Sequence, residues 1–545
     1  MAATRLAAYR AMWTSLSSFF GRPLTVEEGK ALIRERLARR EDLFLQMARE
    51  HFYAPESPYR ALLALARCEY RDLELLVRQQ GLESALAALR RDGVYLTFEE
   101  FKTGAEVRRE GRIFRFTPAQ FDNPAVAGVT AIRSGGSRSR GTWTPFNLEF
   151  HVAAHAPQLA VVLEAMAPPA APVITWQLGF PSGAAVGSWF SLAKLRRPPR
   201  RWFSLTPIPR GFRGRHRLLF QAARLFARRA GLDLPMPEFA PVEAVGKVLD
   251  AIVAAQEEAG SCVVITTPSC AVRLAVEAQR RPLPLPGVLF YVGAEPLTPE
   301  KAEQVRRGGA RVAARYAALE IGGSGAAPCG DPAGPDDMHF RSDVLALITS
   351  PRQFGDVSVN ALMLTSLLPN APKLLLNVEL DDFAQVEERR CGCVWDTLGC
   401  RTHLMHVRSF TKLTGEGTTV LGSNVTHIIE QVLPAAFGGS AVDYQLVEAQ
   451  DEDRLTRLYL LISWRVGPLD ERAVLRRFLQ ALEATGGRPL GGRRQIWEQA
   501  NSIRVLRRDP IPTGAGKLFP FHTLGAPLPL LPRGAESPGE AAHAP

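Results

Sequence analysis

Lysine is scarce in this chain of 545 residues: it supplies only eight of the 66 basic side chains, and arginine supplies the rest. Long apolar runs are missing as well. No stretch reaches the eighteen or so consecutive apolar residues that a membrane-spanning helix needs. The opening "MAATRLAAYRAMWTSLSSFFGRP" has no continuous apolar core, which argues against a secretory signal. It is free of acid and carries Arg5, Arg10 and Arg22, as a transit peptide would, but an ordinary N-terminal helix is the expected reading. Seven cysteines, at 68, 262, 270, 329, 391, 393 and 400, are too few and too unevenly spread for a disulfide scaffold. They read as reduced thiols, some open to metal. Neither a Gly-x-Ser-x-Gly elbow nor a His-Glu-x-x-His pair occurs, so hydrolase readings find no support. The expectation is a cytoplasmic protein, and an apolar content of 46% is enough for a substantial core in more than one domain.

The net charge of +11 is locally concentrated. From Lys194 to Arg229 the chain holds a dozen cations and no acid, with Trp202 and Phe212 interleaved. A nucleic-acid groove can look like this, but no base-reading motif accompanies it. The expectation is therefore no nucleic-acid and no membrane partner, and a patch that steers an anionic small molecule.

Three textures follow one another along the chain. Residues 1–125 look helical. "TVEEGKALIRERLARREDLFLQMAREHF" opens with Thr25 and Glu28 at capping-box spacing, and "LESALAALRR" reads as a further helix. From 126 to 411, apolar runs such as "APVITWQL", "CVVITTP", "VLFYVG", "VLALIT" and "LMLTSLL" read as strands. Among them, "EAVGKVLDAIVAAQEEAG" and "TPEKAEQVRRGG" read as helices that cross over, giving an α/β core. From 412 to 525 a small α+β domain is expected, with "VDYQLVEAQ" and "LTRLYLLISWRV" as a hairpin turning at "DEDR", "LDERAVLRRFLQALEATGG" as a helix and "SIRVLRRD" as a last strand. The Pro- and Ala-rich tail, 526–545, reads as disordered.

Four stretches carry chemistry. "IRSGGSRSRGTWTP" places Ser134, Gly135, Gly136, Ser137, Ser139 and Thr142 in a turn whose backbone N–H groups and hydroxyls suit phosphate oxygens, or form a solvated loop without a ligand. "RYAALEIGG" sets Tyr316 and Glu320 four apart; a ring there can stack on a base and a carboxylate can hold a divalent cation, or both are ordinary core and surface residues. "LLLNVELDDFAQ" ends an apolar run in Asp381 and Asp382, which can accept from ribose hydroxyls or begin a turn. "DPIPTGAGKLFPFH" holds one of the few lysines, Lys517, between glycine-rich turns; lysine is a compact point charge that reaches where the planar arginine fork does not. A fifth group, Cys329, His339, Cys391 and Cys393, supplies three thiols and an imidazole. That is the chemistry of a closed tetrahedral zinc set, with buried thiols beside an unrelated histidine as the alternative and Cys400 and His403 as further candidates.

Taken in order, these pieces resemble the adenylate-forming superfamily, and within it the phenylacetate-CoA ligase branch. The serine-rich loop is similar to the family's phosphate loop, "YVGAEPLTP" to its Gly-Glu-Pro segment, "YAALE" to its Tyr-Gly-x-Thr-Glu motif, "DDFA" to its aspartate motif, "KLTGEGTTVLGSNV" to the interdomain hinge and "PIPTGAGKLF" to its terminal lysine motif. The resemblance covers about residues 126–525. It implies a large adenylate-forming domain with a mobile lid, and an ATP-dependent ligase that activates a carboxylic acid, an aryl acid among the candidates, as acyl-AMP and passes it to a thiol such as coenzyme A. It also implies that Tyr316 stacks on adenine, Glu320 holds magnesium, Asp382 binds ribose, the loop from Ser134 to Thr142 holds the β- and γ-phosphates, and Lys517 reaches the acyl-adenylate. Some relatives in this branch carry zinc at similar positions, so the resemblance implies structural zinc on the thiol set too. Three departures stand out: Arg138 in the phosphate loop, Ala317 and Leu319 within "YAALE", and Glu416 where the hinge usually has arginine. Loading of a carrier protein or an amine, and a degenerate nucleotide-binding scaffold, are the alternative readings.

Overall fold

The structure is a computed structural model, and it describes residues 16–126, 131–133, 143–145, 148–179, 183–207, 215–354, 357–409, 412–415, 418–421, 425, 427–440, 443–453, 455–485, 497, 499–511 and 520–523. The helical reading of the N-terminal region holds from Val26 to Thr103, but Val107–Arg109 and Arg112–Phe114 then pair as an antiparallel hairpin that the reading did not include. Thr25 caps Val26–Ala38 in a full capping box with Glu28, which satisfies two of the amide groups that a helix start leaves unpaired. Leu82–Arg91 buries Leu82, Ala85, Leu86 and Leu89, the stripe expected of a helix with one apolar face. These buried leucines belong to the same apolar cluster as the central strands, so the helical region packs on the core.

A six-stranded parallel sheet comes next, built from β1 (Val173–Gln177), β2 (Arg201–Ser204), β3 (Glu238–Phe239), β4 (Cys262–Thr266), β5 (Val288–Val292) and β6 (Arg311–Ala314) in the order β6-β5-β4-β1-β2-β3. Every residue of β1, β4 and β5 is buried, as strands covered on both faces must be, and this explains why they read as unbroken apolar runs. Helices Val245–Ala259, Pro268–Arg280 and Pro299–Arg307 supply the crossovers between β3, β4, β5 and β6.

A second sheet follows, and the two apolar runs read as strands within it are strands. It contains β7 (Ala326–Pro328), β8 (Met338–Phe340), β9 (Leu345–Phe354), β10 (Val357–Ser366), β11 (Val378–Glu388) and β12 (Thr402–Ser409), ordered β7-β8-β12-β11-β10-β9 and antiparallel throughout. "VLALIT" and "LMLTSLL" lie in β9 and β10, paired from Leu345↔Ser366 to Phe354↔Val357. Only two residues separate these strands, whereas a crossover between parallel strands takes a dozen or more, so the connection forces a hairpin.

The C-terminal region forms a four-stranded sheet from β13 (Tyr444–Gln450), β14 (Thr456–Ile462), β15 (Ile503–Arg507) and β16 (Phe521–Thr523), ordered β15-β14-β13-β16. β13 and β14 are the expected hairpin; β15 and β16 join its two edges in parallel. Its apolar cluster, which includes Ile428, Tyr444, Leu460, Val474 and Phe478, is separate from the main one. Gln450 Nε2 donates to Thr298 Oγ1 at 2.6 Å and Arg273 donates to the Ala500 carbonyl at 3.3 Å, so this region rests on the helices that follow β4 and β5. Among the described residues no helix is long and apolar enough to cross a membrane.

Candidate functional site

Ser134, Gly135, Gly136, Ser137, Ser139, Thr142, Glu416 and Lys517 lie outside the described residues. The remaining candidates are described, and residues far apart in sequence come together.

Tyr316 leaves the end of β6 and makes an isolated bridge to Ala326, which holds its ring inside the protein. Gly325 passes close to one edge of that ring: a Cβ there would lie 2.6 Å from Tyr316 Cδ1, so a larger residue would displace the aromatic side chain. The phenol donates to Asp382 Oδ2 at 2.7 Å, and Ser409 Oγ donates to Asp382 Oδ1 at 2.6 Å. Burial, followed by the charges of Asp382 and Glu320, raises the phenol well above its usual range, so it stays protonated and keeps donating. Asp382 and Ser409 are register partners on β11 and β12, and the ladder shifts register between Phe383 and Gln385. The preceding residue, Asp381, has a left-handed backbone, φ 78°, which aspartate tolerates better than most. Asp382→Ala would leave two hydroxyls without their acceptor. It is expected to lower the unfolding free energy by about 1–3 kcal/mol in a denaturant titration, and an unchanged midpoint would show that these bonds contribute nothing.

Glu320 follows in a single 3₁₀ turn, Leu319–Ile321, closed by Gly322 in a left-handed conformation. A Cβ at Gly322 would sit 1.8 Å from Phe150 Cε1, so both the backbone angle and the space require glycine. Glu320 is buried, and its Oε1 accepts from Lys102 Nζ. This departs from the expectation of a carboxylate that holds magnesium. Mg²⁺ keeps a near-octahedral set of oxygens and several waters, and a buried carboxylate oxygen in contact with an ammonium is a poor fit to that demand.

The thiol group assembles from two loops and β8. Cys329 Sγ and Cys391 Sγ are 3.7 Å apart, and His339 Nε2 lies 3.1 Å from Cys393 Sγ and 3.4 Å from Cys391 Sγ. One ligand atom from each of the four residues falls within 4.8 Å of all the others. Tetrahedral zinc with bonds of about 2.3 Å to sulfur separates its sulfurs by about 3.8 Å, so the set matches the span that zinc requires. His339 Nδ1 lies 2.7 Å from the Cys400 carbonyl, which can only accept; Nδ1 therefore carries the proton and Nε2 turns its lone pair toward the thiols. Gly392, at φ +73°, makes the tight turn between Cys391 and Cys393. The Cys393 thiol is pushed down, first by its hydrogen bond with Cys329 and then by His339, while Cys329 is pushed up by the same hydrogen bond and by burial. Beside this set, Asp337 accepts from Arg389 and lies 2.6 Å from His403 Nδ1, and Cys329, Asp337 and His403 form an overlapping group. Cys400 contributes its carbonyl; its own thiol is buried and pushed up to about 12, the state of an inert core cysteine.

Two participants escaped the sequence reading. Ser409 carries no signal of its own, because only the β11–β12 register brings it to Asp382. Lys102 did carry one: the rarity of lysine that singles out Lys517 applies equally to "FEEFKTG".

No protein-family model matches the chain, and no curated protein matches it in sequence. Several solved structures are similar at low identity. One is o-succinylbenzoate CoA synthetase (MenE) from Bacillus subtilis, with 13% identity over 76% of this chain and 72% of that one and a TM-score of 0.38. A second is the amide bond synthetase McbA from Marinactinospora thermotolerans, with 12% identity over 89% of this chain and 93% of that one and a TM-score of 0.39. A third is the anthranilate CoA ligase AuaEII, with 12% identity over 71% of this chain and 65% of that one and a TM-score of 0.29.

Proposed function

We propose that this chain is an AMP-forming carboxylate ligase of the adenylate-forming superfamily, closest in its motifs to the phenylacetate-CoA ligase branch. The observation that carries the reading is the meeting of Tyr316, from the "YAALE" segment, with Asp382, from "DDFA", through a 2.7 Å hydrogen bond beside the buried Glu320. The two segments are 66 residues apart in sequence, and the motif order implied that they serve one nucleotide.

In this reading, residues 126–411 form the domain that binds nucleotide and acid, and 412–525 form a lid. Tyr316 lies along the adenine, Asp382 accepts from the ribose hydroxyls, and the loop from Ser134 to Thr142 holds the β- and γ-phosphates. The substrate carboxylate attacks the α-phosphorus, the bond to the bridging oxygen breaks, and pyrophosphate leaves. A thiol, with coenzyme A as the proposed acceptor, then attacks the acyl carbonyl and AMP departs. The protein's contribution is position and charge, since nucleotidyl transfer leaves it little covalent chemistry. Lys517 would lie between the carboxylate and the phosphate oxygens during the first step. Zinc on Cys329, His339, Cys391 and Cys393 would tie the loop between β7 and β8 to the turn after β11, and it takes no part in the chemistry.

ATP–pyrophosphate exchange over a panel of aryl, fatty and amino acids tests the reading: at least one acid should give exchange. Exchange with none of them, from a folded protein, would leave the scaffold reading, which Glu416 and the altered phosphate loop favour. Among acids that do exchange, thioester formation with coenzyme A, or amide formation with an amine, separates the acceptors. Glu416 gives a further prediction. Glu416→Arg is expected to leave ATP affinity unchanged or lower, because an active site built around a glutamate must find its cation elsewhere. A gain of tenfold or more, equivalent to about 1.4 kcal/mol, would mark the hinge as degenerate.

A further inference from the structure

The cation beside Glu320 is built into the chain. Lys102 ends a short helix, Phe98–Thr103, whose start is fixed by a capping box between Thr97 and Glu100 and whose end is fixed by Gly104 at φ +72°. A Cβ at Gly104 would lie 3.1 Å from the Phe116 carbonyl, so space as well as backbone angle favours glycine there. The helix packs on β11, the strand that carries Asp382. Glu100, the nearest acid within the helix, is held by Arg109 in a paired contact at 2.9 Å on both oxygens. Lys102 instead reaches across to Glu320, and the two side chains are 11% and 6% exposed. A pair this well buried is not a surface ion pair of negligible worth; removing either member would strand a charge away from water.

We propose that the Lys102 ammonium supplies at Glu320 the positive charge that a divalent cation would otherwise bring, so that ATP binds here without magnesium on Glu320. The inference rests on the ligase reading for its ligand. Three features carry it. First, the Glu320 oxygen is already in contact with a fixed cation. Second, that cation is lysine in a chain that otherwise uses arginine almost everywhere. A slender ammonium serves phosphate oxygens as a point charge and enters a narrow site that a guanidinium would crowd. Third, Glu320 follows Tyr316 by four residues in one segment and Tyr316 bonds Asp382, so the lysine meets the same segment that holds the residues assigned to adenine and ribose.

The test is calorimetric titration with the sodium salt of ATP, in magnesium-free buffer and with magnesium added. Magnesium is omitted instead of chelated, because a chelator would also attack the thiol site. For the wild type the two dissociation constants should agree within threefold. For Lys102→Met the affinity without magnesium should fall tenfold or more, and added magnesium should restore it. The neutral pair Lys102→Gln/Glu320→Gln strands no charge; should Lys102→Met fail to fold, this pair replaces it and should bind ATP more weakly, with little response to magnesium. A wild-type affinity that drops tenfold or more without magnesium, with that dependence removed by Glu320→Gln, would place the metal on Glu320 and overturn the proposal. Absence of ATP binding under both conditions would overturn the ligase reading itself, a result distinct from metal-dependent binding.

Discussion

Purified protein is expected to carry close to one equivalent of zinc, and the double variant Cys391→Ser/Cys393→Ser is expected to carry none. Zinc binding in small tetrahedral sites is worth roughly 10–16 kcal/mol at neutral pH, far more than any single hydrogen bond nearby. Its loss should therefore show as a lowered thermal midpoint and as faster proteolysis within the segment 329–337 and the turn at 391–393, while the distant C-terminal sheet keeps its protection. The geometry makes the double variant decisive. Both sulfurs face the same imidazole nitrogen, at 3.4 and 3.1 Å, and serine hydroxyls would be poor replacements for thiolates as zinc ligands beside it. Element analysis by mass spectrometry settles the matter: wild-type protein without zinc, or zinc retained by the double variant, would sink the site. Retention would direct attention to the overlapping group of Cys329, Asp337 and His403, and His403→Ala would then be the variant to load and measure.

Lys517→Ala is expected to slow acyl-adenylate formation by about 10²–10³, the range for loss of one preorganised charge stabiliser. Thioester formation from supplied acyl-adenylate should be nearly unaffected, because in the proposed cycle the lysine serves only the first half-reaction. Lys517→Arg should not rescue, since a planar fork needs more room than a point charge. Separate assays of the two half-reactions check this. An equal loss in both would mean that the lid does not alternate between the steps, and no loss in either would remove Lys517 from the chemistry.

These two predictions draw on different kinds of information. Lys517 stood out in the sequence as a rare lysine in a glycine-rich stretch, and its proposed role rests on the order of motifs along the chain. The set of three thiols and an imidazole was legible as candidate metal-ligating chemistry, and the structure brings its four members together. Its geometry was not legible, because Cys329 and Cys391 are 62 residues apart and meet only when the β7–β8 loop folds against the turn after β11. The same division runs through the fold. Helix Val26–Ala38 and the β13–β14 hairpin were readable because their signals, a capping box and a short polar turn, act within a few residues. The strands of the second sheet were legible but their antiparallel pairing was not, because apolar runs look alike whether the next strand is parallel or antiparallel and the length of the connection decides between them.

Burial of charge divides in the same way. Composition showed that lysine is rare; only the packed structure showed how the rare lysines are used. Lys102 pairs with Glu320, Lys301 with Glu295 and Lys373 with Asp122, and all three lysines are buried, as is Lys194 with its ammonium on the Phe19 carbonyl. A buried cation must meet its partner within hydrogen-bonding distance; Glu295 is six residues from Lys301, whereas Glu320 and Asp122 reach their lysines through tertiary packing from more than 200 residues away. Local sequence therefore determined which residues are helix caps, turns and candidate ligands, because those preferences are settled by neighbours along the chain. The tertiary structure alone decided that Glu320 faces a lysine, because burial leaves a carboxylate only the partners that folding brings to it.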